Sequence, residues 1–163
     1  MAFWTEGKSE PTRKYRFLIS ADGTGDLKGN WWWAKGVSKP SFEINHNSYQ
    51  LGNHKFKYPG VLTWNDIQIT LVDVDYKTKD LLYNLTAMGY NDPRGAGQGI
   101  GKNQPNSIKQ VRIQQLDSAG EALENWVLHN VMITQMNFGD LSYSDDELVE
   151  IQLTLVYDYA VLN

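Results

Sequence analysis

The C-terminal segment is the feature that most restricts how this chain can fold. Between Val149 and Val161 every odd position is apolar or aromatic, whereas Glu150, Gln152 and Thr154 lie between them. Side chains alternate between the two faces of a strand, so this pattern predicts one long strand with a buried face and a wet face. The segment from Asp66 to Leu71 alternates in the same way and predicts a second such strand.

The polar positions of these two strands have similar chemistry. Asp66, Gln68 and Thr70 match the acidic and amide-or-hydroxyl pattern of the C-terminal strand. This similarity predicts one continuous polar surface. The ordinary alternative, that any antiparallel sheet has one wet face, stays open.

Composition restricts the class of protein. A chain of 163 residues fits one domain, and the absence of cysteine excludes disulfides and thiolate metal sites. With 15 basic and 19 acidic residues the net charge is -4, which gives no bulk affinity for nucleic acid. No segment has the apolar length of a membrane span or a signal-peptide core, so we expect synthesis in a cytoplasm and no membrane partner.

The order of elements predicts a mainly β fold, a sandwich or barrel carrying a single helix. The expected division is a flexible N-terminal arm over 1–13 and one β domain over 14–163. Within that domain the sequence predicts several elements: strands at Tyr15–Ser20, Trp31–Val37, Leu62–Val72, Ser107–Leu116 and Ala122–Thr134, a projecting hairpin over 42–58, a helix over 76–89 and a flexible glycine-rich loop over 90–106.

Three consecutive tryptophans, Trp31, Trp32 and Trp33, stand at the start of one predicted strand. Neighbouring strand residues face opposite ways, so at least one of the three must leave the core. An exposed tryptophan commonly has a partner surface.

The sequence offers no positive evidence for catalysis. The run from Gly95 to Lys102 fails as a phosphate loop, because Ala96 stands where a glycine is required and Asn103 replaces the magnesium-binding hydroxyl. The three histidines have no metal-ligand spacing, and the acidic group at 145–147 lacks the spacing of a calcium loop. We therefore expect no enzyme activity, no cofactor and no metal.

The chain resembles the tail tube proteins of contractile-tailed bacteriophages. The resemblance rests on the tryptophan-bearing strand in Tyr58–Asp73, on the closing strand in Glu147–Tyr159 and on the turn in Ala34–Phe42, and it covers the chain from about Tyr15 onward. The same fold occurs in baseplate tube initiators and in the tube proteins of phage-derived injection systems. The tryptophan triplet and the glycine-rich loop have no counterpart in the family pattern.

The resemblance implies a structural virion protein in the phage tail. Six copies form a ring whose inner wall is a continuous β-barrel, and stacked rings form the channel for genome ejection. It implies that the polar strand residues face the lumen: Asp66, Gln68, Thr70, Gln110, Arg112, Gln114, Glu150, Gln152 and Thr154. The projecting hairpin, the aromatic residues of the N-terminal arm and the tryptophan triplet predict contacts between rings or subunits: Phe3, Trp4, Trp32, His46, Tyr49, Gln50, Leu51, Asn53 and His54.

The partners implied are further copies of the chain, a tail sheath protein, a baseplate, a tape measure protein, and double-stranded DNA that passes without sequence-specific binding. Three alternatives remain from the sequence. One is a baseplate tube initiator or the inner tube protein of an injection system. Another is a carbohydrate-binding β-sandwich, in which the tryptophan triplet would stack on sugar rings. The third is a hydrolase whose active site is not visible in the sequence.

Overall fold

Antiparallel β-strands make up all the regular structure in the computed structural model, which describes residues 12–22, 28–74 and 108–163. The described segments contain no helix long and apolar enough to cross a membrane. The eleven strands are β1 (Phe17–Asp22), β2 (Gly29–Asn30), β3 (Ala34–Val37), β4 (Phe42–Leu51), β5 (His54–Trp64), β6 (Ile67–Val72), β7 (Gln110–Leu116), β8 (Ala122–His129), β9 (Met132–Asn137), β10 (Glu150–Val156) and β11 (Tyr159–Leu162).

These strands form two packed sheets and one separate ribbon. The five-stranded sheet has the order β11-β8-β7-β1-β2, and the four-stranded sheet has the order β3-β6-β10-β9. The ribbon consists of β4 and β5 alone. The predicted mainly β architecture is therefore confirmed. The predicted helix over 76–89, the loop over 90–106 and nearly all of the arm over 1–13 lie outside the described residues.

The core lies between the two sheets and follows the alternation in the sequence. The four-stranded sheet contributes Ile67, Ile69 and Leu71 from β6 and the matching positions of β10, all essentially inaccessible to solvent. The five-stranded sheet contributes Ile19 and Val111 among others. Burial of this apolar surface is the main stabilising term of the domain. Because each sheet buries one face, the opposite face of each is left for water or a partner.

The C-terminal segment is two strands and not the single long strand that the alternation predicts. β10 belongs to the four-stranded sheet, whereas β11 pairs with β8 in the other sheet. The chain changes sheet at Tyr157 and Asp158, where the Asp158 amide donates to the His129 carbonyl at 3.1 Å. As a result Tyr159 and Val161, predicted to be buried, are 46% and 37% exposed.

Two other predicted strands are also divided. The strand expected over Leu62–Val72 breaks at Asn65 and Asp66, where the Asn65 amide turns back to the Ser41 carbonyl at 2.9 Å. The strand expected over Ala122–Thr134 breaks at Asn130, which has a positive φ of 55°. Asparagine is among the few residues that adopt this conformation readily. The first break separates β5 of the ribbon from β6 of the four-stranded sheet, and the second separates β8 and β9, which belong to different sheets.

The tryptophan triplet lies just before β3, partly in a turn, and not inside a strand. Trp31 and Trp33 are 3% and 5% exposed and lie with their ring centroids 5.9 Å apart, whereas Trp32 is 71% exposed. The expectation that one member leaves the core is confirmed, and its predicted strand context is wrong.

Candidate assembly interface

The outer face of the four-stranded sheet is a continuous uncharged polar surface. In the register of β6 with β10, Thr70 is opposite Gln152 and Gln68 is opposite Thr154. Opposite residues of antiparallel strands share a face, so these four side chains lie together, away from the core residues between them. The predicted polar surface is present for this pair of strands.

Strand β9 extends the same surface with two residues that the sequence analysis did not single out. Asn137 is opposite Gln152, and Gln135 is opposite Thr154. The sequence signal was the alternation of Gln135 and Asn137 with Met136, following the apolar Ile133. It was obscured by a register shift between Thr154 and Leu155, which places Thr134 outside the simple alternation.

Charge enters this face at one end only. Lys35 of β3 forms an ion pair with Glu150 of β10. The hydrogen bond to the Glu150 carboxylate, with its negative charge, raises the pKa of Lys35. The net charge of this ion pair is zero, and the other polar side chains of the face are amides and hydroxyls.

The nine residues predicted to share one lumen do not share one surface of this chain. Gln68, Thr70, Glu150, Gln152 and Thr154 occupy the four-stranded sheet, and Asp66 lies in the connection before β6. The remaining three, Gln110, Arg112 and Gln114, lie on β7, on the outer face of the other sheet. Alternation identifies a polar face but does not say which sheet carries it, and the lumen-facing role of these residues stays a prediction.

The four-stranded sheet has two edge strands. β3 pairs only with β6, and β9 pairs only with β10, among the residues that the structure describes. An edge strand presents unpaired N–H and C=O groups, which favour pairing with another strand. The sheet that carries the polar face can therefore be extended at both sides.

The ribbon of β4 and β5 is longer than the predicted hairpin, because β5 continues to Trp64 and the turn lies at Gly52 and Asn53. Every residue from Phe42 to Thr63 is exposed. The exposed apolar side chains include Tyr49, Leu51, Phe56 and Tyr58. An isolated two-stranded ribbon is at best marginally stable, so this ribbon needs a cover.

The apolar side of the ribbon changes partway along its length. Near the base, Phe42 is opposite Trp64 and Ile44 is opposite Leu62. Beyond a bulge, Tyr49 is opposite Phe56, and this pair lies on the other face, because β4 continues its alternation through Asn45 without interruption.

The bulge itself sets Asn45 of β4 against Gly60 and Val61 of β5. A side chain at Gly60 would place its Cβ 2.8 Å from the Asn45 carbonyl oxygen. Only glycine permits this close approach of the two strands.

The base of the ribbon is tied to the core through aromatic contacts. The Trp64 ring lies 5.3 Å from the Phe42 ring and 5.8 Å from the Tyr157 ring, measured between centroids. Burial raises the pKa of Tyr157. The apolar residues near the base thus continue the core of their own chain, whereas those beyond the bulge have no such contact.

Most of the residues predicted to contact a neighbouring ring or subunit lie together. His46, Tyr49, Gln50, Leu51, Asn53 and His54 are all exposed in the outer half of the ribbon. Trp32 is exposed but lies in the turn before β3, apart from the ribbon. Phe3 and Trp4 lie outside the described residues. Whether these residues form such contacts stays a prediction.

The tryptophan triplet does not offer a platform for sugar rings. Two of its three rings are in the core, and only Trp32 is accessible. The triplet therefore gives no support to a carbohydrate-binding module.

Comparison with known proteins gives a fold but no sequence family. No family model and no curated protein sequence matches the chain. Three solved structures are similar to it over nearly its whole length. One is the sheath/tube terminator of PVC, an extracellular contractile injection system, in its extended state, with a TM-score of 0.75 and 20% identity over 96% of this chain and 99% of that chain.

The second is the extended sheath-tube complex of the same system, with a TM-score of 0.73 and 21% identity over 100% of this chain and 98% of that chain. The third is the six-fold symmetrised baseplate of the anti-feeding prophage, with a TM-score of 0.71 and 12% identity over 95% of this chain and 97% of that chain. The chain therefore has the tube-type fold of contractile injection systems, as the resemblance to tail tube proteins predicts.

Proposed function

We propose that this chain is a structural subunit of the tube of a contractile tail or injection apparatus, in which six-membered rings stack along an axis. The observation that carries the proposal is the four-stranded sheet, which combines an uncharged polar outer face with two unpaired edges. The tube-type fold supports it. The six-fold symmetry of the similar anti-feeding prophage baseplate favours six copies.

The ring closes through the edges of the four-stranded sheet. Pairing of β3 in one copy with β9 in the next joins the sheets into one wall. Six copies of a four-stranded sheet make a barrel of roughly 24 strands, and closure removes every free edge. The polar residues of β6, β9 and β10 then face the lumen.

This wall suits passage of a long cargo. Tight binding of duplex DNA requires cationic groups that neutralise phosphates and release counterions. The lumen face carries amides and hydroxyls, together with one internally neutralised ion pair. Double-stranded DNA can slide along such a wall without being held, and a tape measure protein would fill it before ejection.

The outer half of the ribbon contacts the neighbouring ring through its aromatic face. Its residues are exposed and have no place in the core of their own chain. Deleting Tyr49 to Asn53 should leave the domain folded and prevent polymerisation. Polymers of unchanged length after the deletion would contradict this role. A sheath protein would surround the stacked rings, and a baseplate would hold one end.

The proposal is tested by purifying the chain and examining it by negative-stain electron microscopy and sedimentation at increasing concentration. We expect rings with six-fold symmetry that stack into tubes. A chain that sediments only as an 18.6 kDa monomer, with neither rings nor tubes in the images, would refute it. A baseplate tube initiator would instead form single rings that nucleate tubes of another chain.

A further inference from the structure

Two exposed segments of opposite charge lie at the two ends of the four-stranded sheet. The outer ribbon, residues 45–61, carries Lys55 and Lys57 and no acidic residue. The loop between β9 and β10, residues 138–149, carries Asp140, Asp145, Asp146 and Glu147 and no basic residue. Both segments are exposed almost throughout. Neither lysine of the ribbon forms an ion pair within the described segments.

The ribbon leaves the sheet where β6 begins and β10 ends. The Trp64 ring at its base contacts Tyr157, which directly follows β10. Leu155 of β10 is opposite Ile67, the first residue of β6.

The acidic loop lies at the other end of the same strands. Glu150 is opposite Val72, the last residue of β6, and the Asp73 amide donates to the Val149 carbonyl at 2.9 Å. The seven residues of β10 separate the two ends by about 20 Å, at roughly 3.3 Å per residue. We therefore expect the outer ribbon of one copy to meet the acidic loop of a second copy.

The two lysines of the ribbon share one face. Lys57 is opposite Ser48 and Lys55 is opposite Gln50, on the side away from the aromatic pairs. The bulge brings the apolar residues of β4 and β5 together on one face and leaves the other face of the outer ribbon with His46, Ser48, Gln50 and the two lysines, together with Pro59.

The acidic loop borders a groove that can receive this face. An open groove of about 470 Å³ is lined by Asp140, Asp145, Glu147 and Glu150. Leu141, Tyr143 and Leu148 of the same loop are highly exposed, so the loop has apolar surface to bury as well as charge to pair.

We infer that the basic face of the ribbon docks on the acidic loop 138–149 of a second copy of this chain, with Lys55 and Lys57 against Asp145, Asp146 and Glu147. This inference rests on the proposed stacking of rings and names the surface that accepts the basic face of the ribbon; the aromatic face, on the opposite side, makes a separate contact. The contact of the basic face is heterologous, because a surface of one copy meets a different surface of the next, and a repeated contact of this kind generates an open stack. Opposite charges at the two ends also fix the polarity of that stack.

One exposed ion pair contributes little by itself. A ring repeats the contact six times, however, so a threefold weakening of each contact compounds to about 700-fold between two rings. Charge reversal should consequently have a large effect on polymerisation and almost none on the folding of the monomer.

The test uses three variants of the full chain: Lys55→Glu with Lys57→Glu, Asp145→Lys with Asp146→Lys, and all four together. We expect each pair of substitutions to raise the concentration needed for polymers by at least about tenfold, since like charges then face each other. The fourfold variant should recover polymerisation, because its charges are exchanged and again complementary. Lys14→Glu with Lys109→Glu is the control, with the same charge change at exposed sites elsewhere.

The outcomes separate this inference from the proposed function. Wild-type protein that forms no stacks refutes the proposed function and this contact together. Wild-type stacks whose formation is unaffected by either reversal overturn the contact alone. So does a fourfold variant that polymerises no better than the two reversed pairs. Circular dichroism and thermal unfolding of every variant verify that each one folds.

Discussion

Replacement of Gly60 by alanine tests whether the bulge in the ribbon is needed for assembly. The added Cβ would lie 2.8 Å from the Asn45 carbonyl oxygen, closer than real Cβ atoms approach backbone. Such overpacking costs about 1–3 kcal/mol if the strands stay in place. Each ladder hydrogen bond returns only about 0.5–1.5 kcal/mol. The free-energy cost of the added methyl group is therefore as large as the contribution of one or two ladder hydrogen bonds, in a ribbon that is only marginally stable by itself.

The expected response is a change of register beyond the bulge. A slip of one residue moves Phe56 and Tyr58 to the face that now carries the lysines. The aromatic and basic faces would then be mixed, and neither would match its partner surface. Because the outer ribbon makes no contribution to the core, the midpoint of thermal unfolding should stay within about 2 °C of wild type.

Gly36→Ala is the matched control. Gly36 lies in β3, and a Cβ there would meet nothing within 4 Å. Alanine at such a site is neutral or stabilising by about 0.4–1 kcal/mol. This control applies to thermal unfolding only, because β3 is one of the two edges proposed to close the ring. Sedimentation and electron microscopy should show tubes for wild type and no tubes for Gly60→Ala. Normal polymers of Gly60→Ala would refute the role of the bulge. A large fall in its thermal stability would show that the ribbon belongs to the core.

Three further outcomes are expected. Leu153→Ala in the core should lower the free energy of unfolding by about 2–5 kcal/mol in urea titrations, whereas Gln152→Ala on the polar face should change it by less than about 0.5 kcal/mol. The Lys39 ammonium, 2.6 Å from the Glu124 carboxylate, holds the pKa of that carboxyl below its ordinary 4.5. The stability that this pair contributes is therefore present at neutral pH and is lost as the pH falls through the lowered pKa. Lys39→Met should flatten the decline of Tm between about pH 5 and about pH 3. Tubes carrying Gln68→Lys and Gln152→Lys should retain duplex DNA at about 50 mM salt and release it at about 0.5 M, whereas wild-type tubes should retain none at either concentration.

The polar face was predictable because alternation is a local property of a strand. Gln68, Thr70, Gln152 and Thr154 could be assigned to one surface since each lies between apolar residues at the correct spacing. Gln110, Arg112 and Gln114, also predicted to face a lumen, lie in the other sheet, which alternation could not have shown. The same alternation of apolar and polar residues occurs in the strands of both sheets. The sequence of one strand does not determine which distant strand it pairs with.

The strand breaks were not predictable from alternation. The odd positions continue to be apolar from β10 through Tyr157 to Tyr159, although the chain changes sheet between them. The bulge did leave a signal. Apolar residues of β4 change from even positions at Phe42 and Ile44 to odd ones at Tyr49 and Leu51, while the aromatic residues of β5 are all at even positions. One extra residue in β5 allows the apolar residues of the two strands to lie opposite each other on both sides of the bulge.

The unsatisfied surfaces of one copy point in two perpendicular directions. The free edges of β3 and β9 lie at the sides of the four-stranded sheet, whereas the ribbon and the acidic loop lie at the ends of its strands. Side-by-side pairing closes a ring, and end-to-end docking stacks rings, so the two associations should be separable. Protein with Lys55→Glu and Lys57→Glu should still form rings, because both edges are intact.

The molar mass of the Lys55→Glu, Lys57→Glu variant in solution tests whether rings form without stacking. Light scattering should give about 112 kDa, six copies of the 18.6 kDa chain, at concentrations where wild type forms tubes. Monomers under those conditions would mean that ring closure depends on the ribbon. The ribbon would then reach sideways to a neighbour in the same ring, and the division into lateral and axial contacts would be wrong.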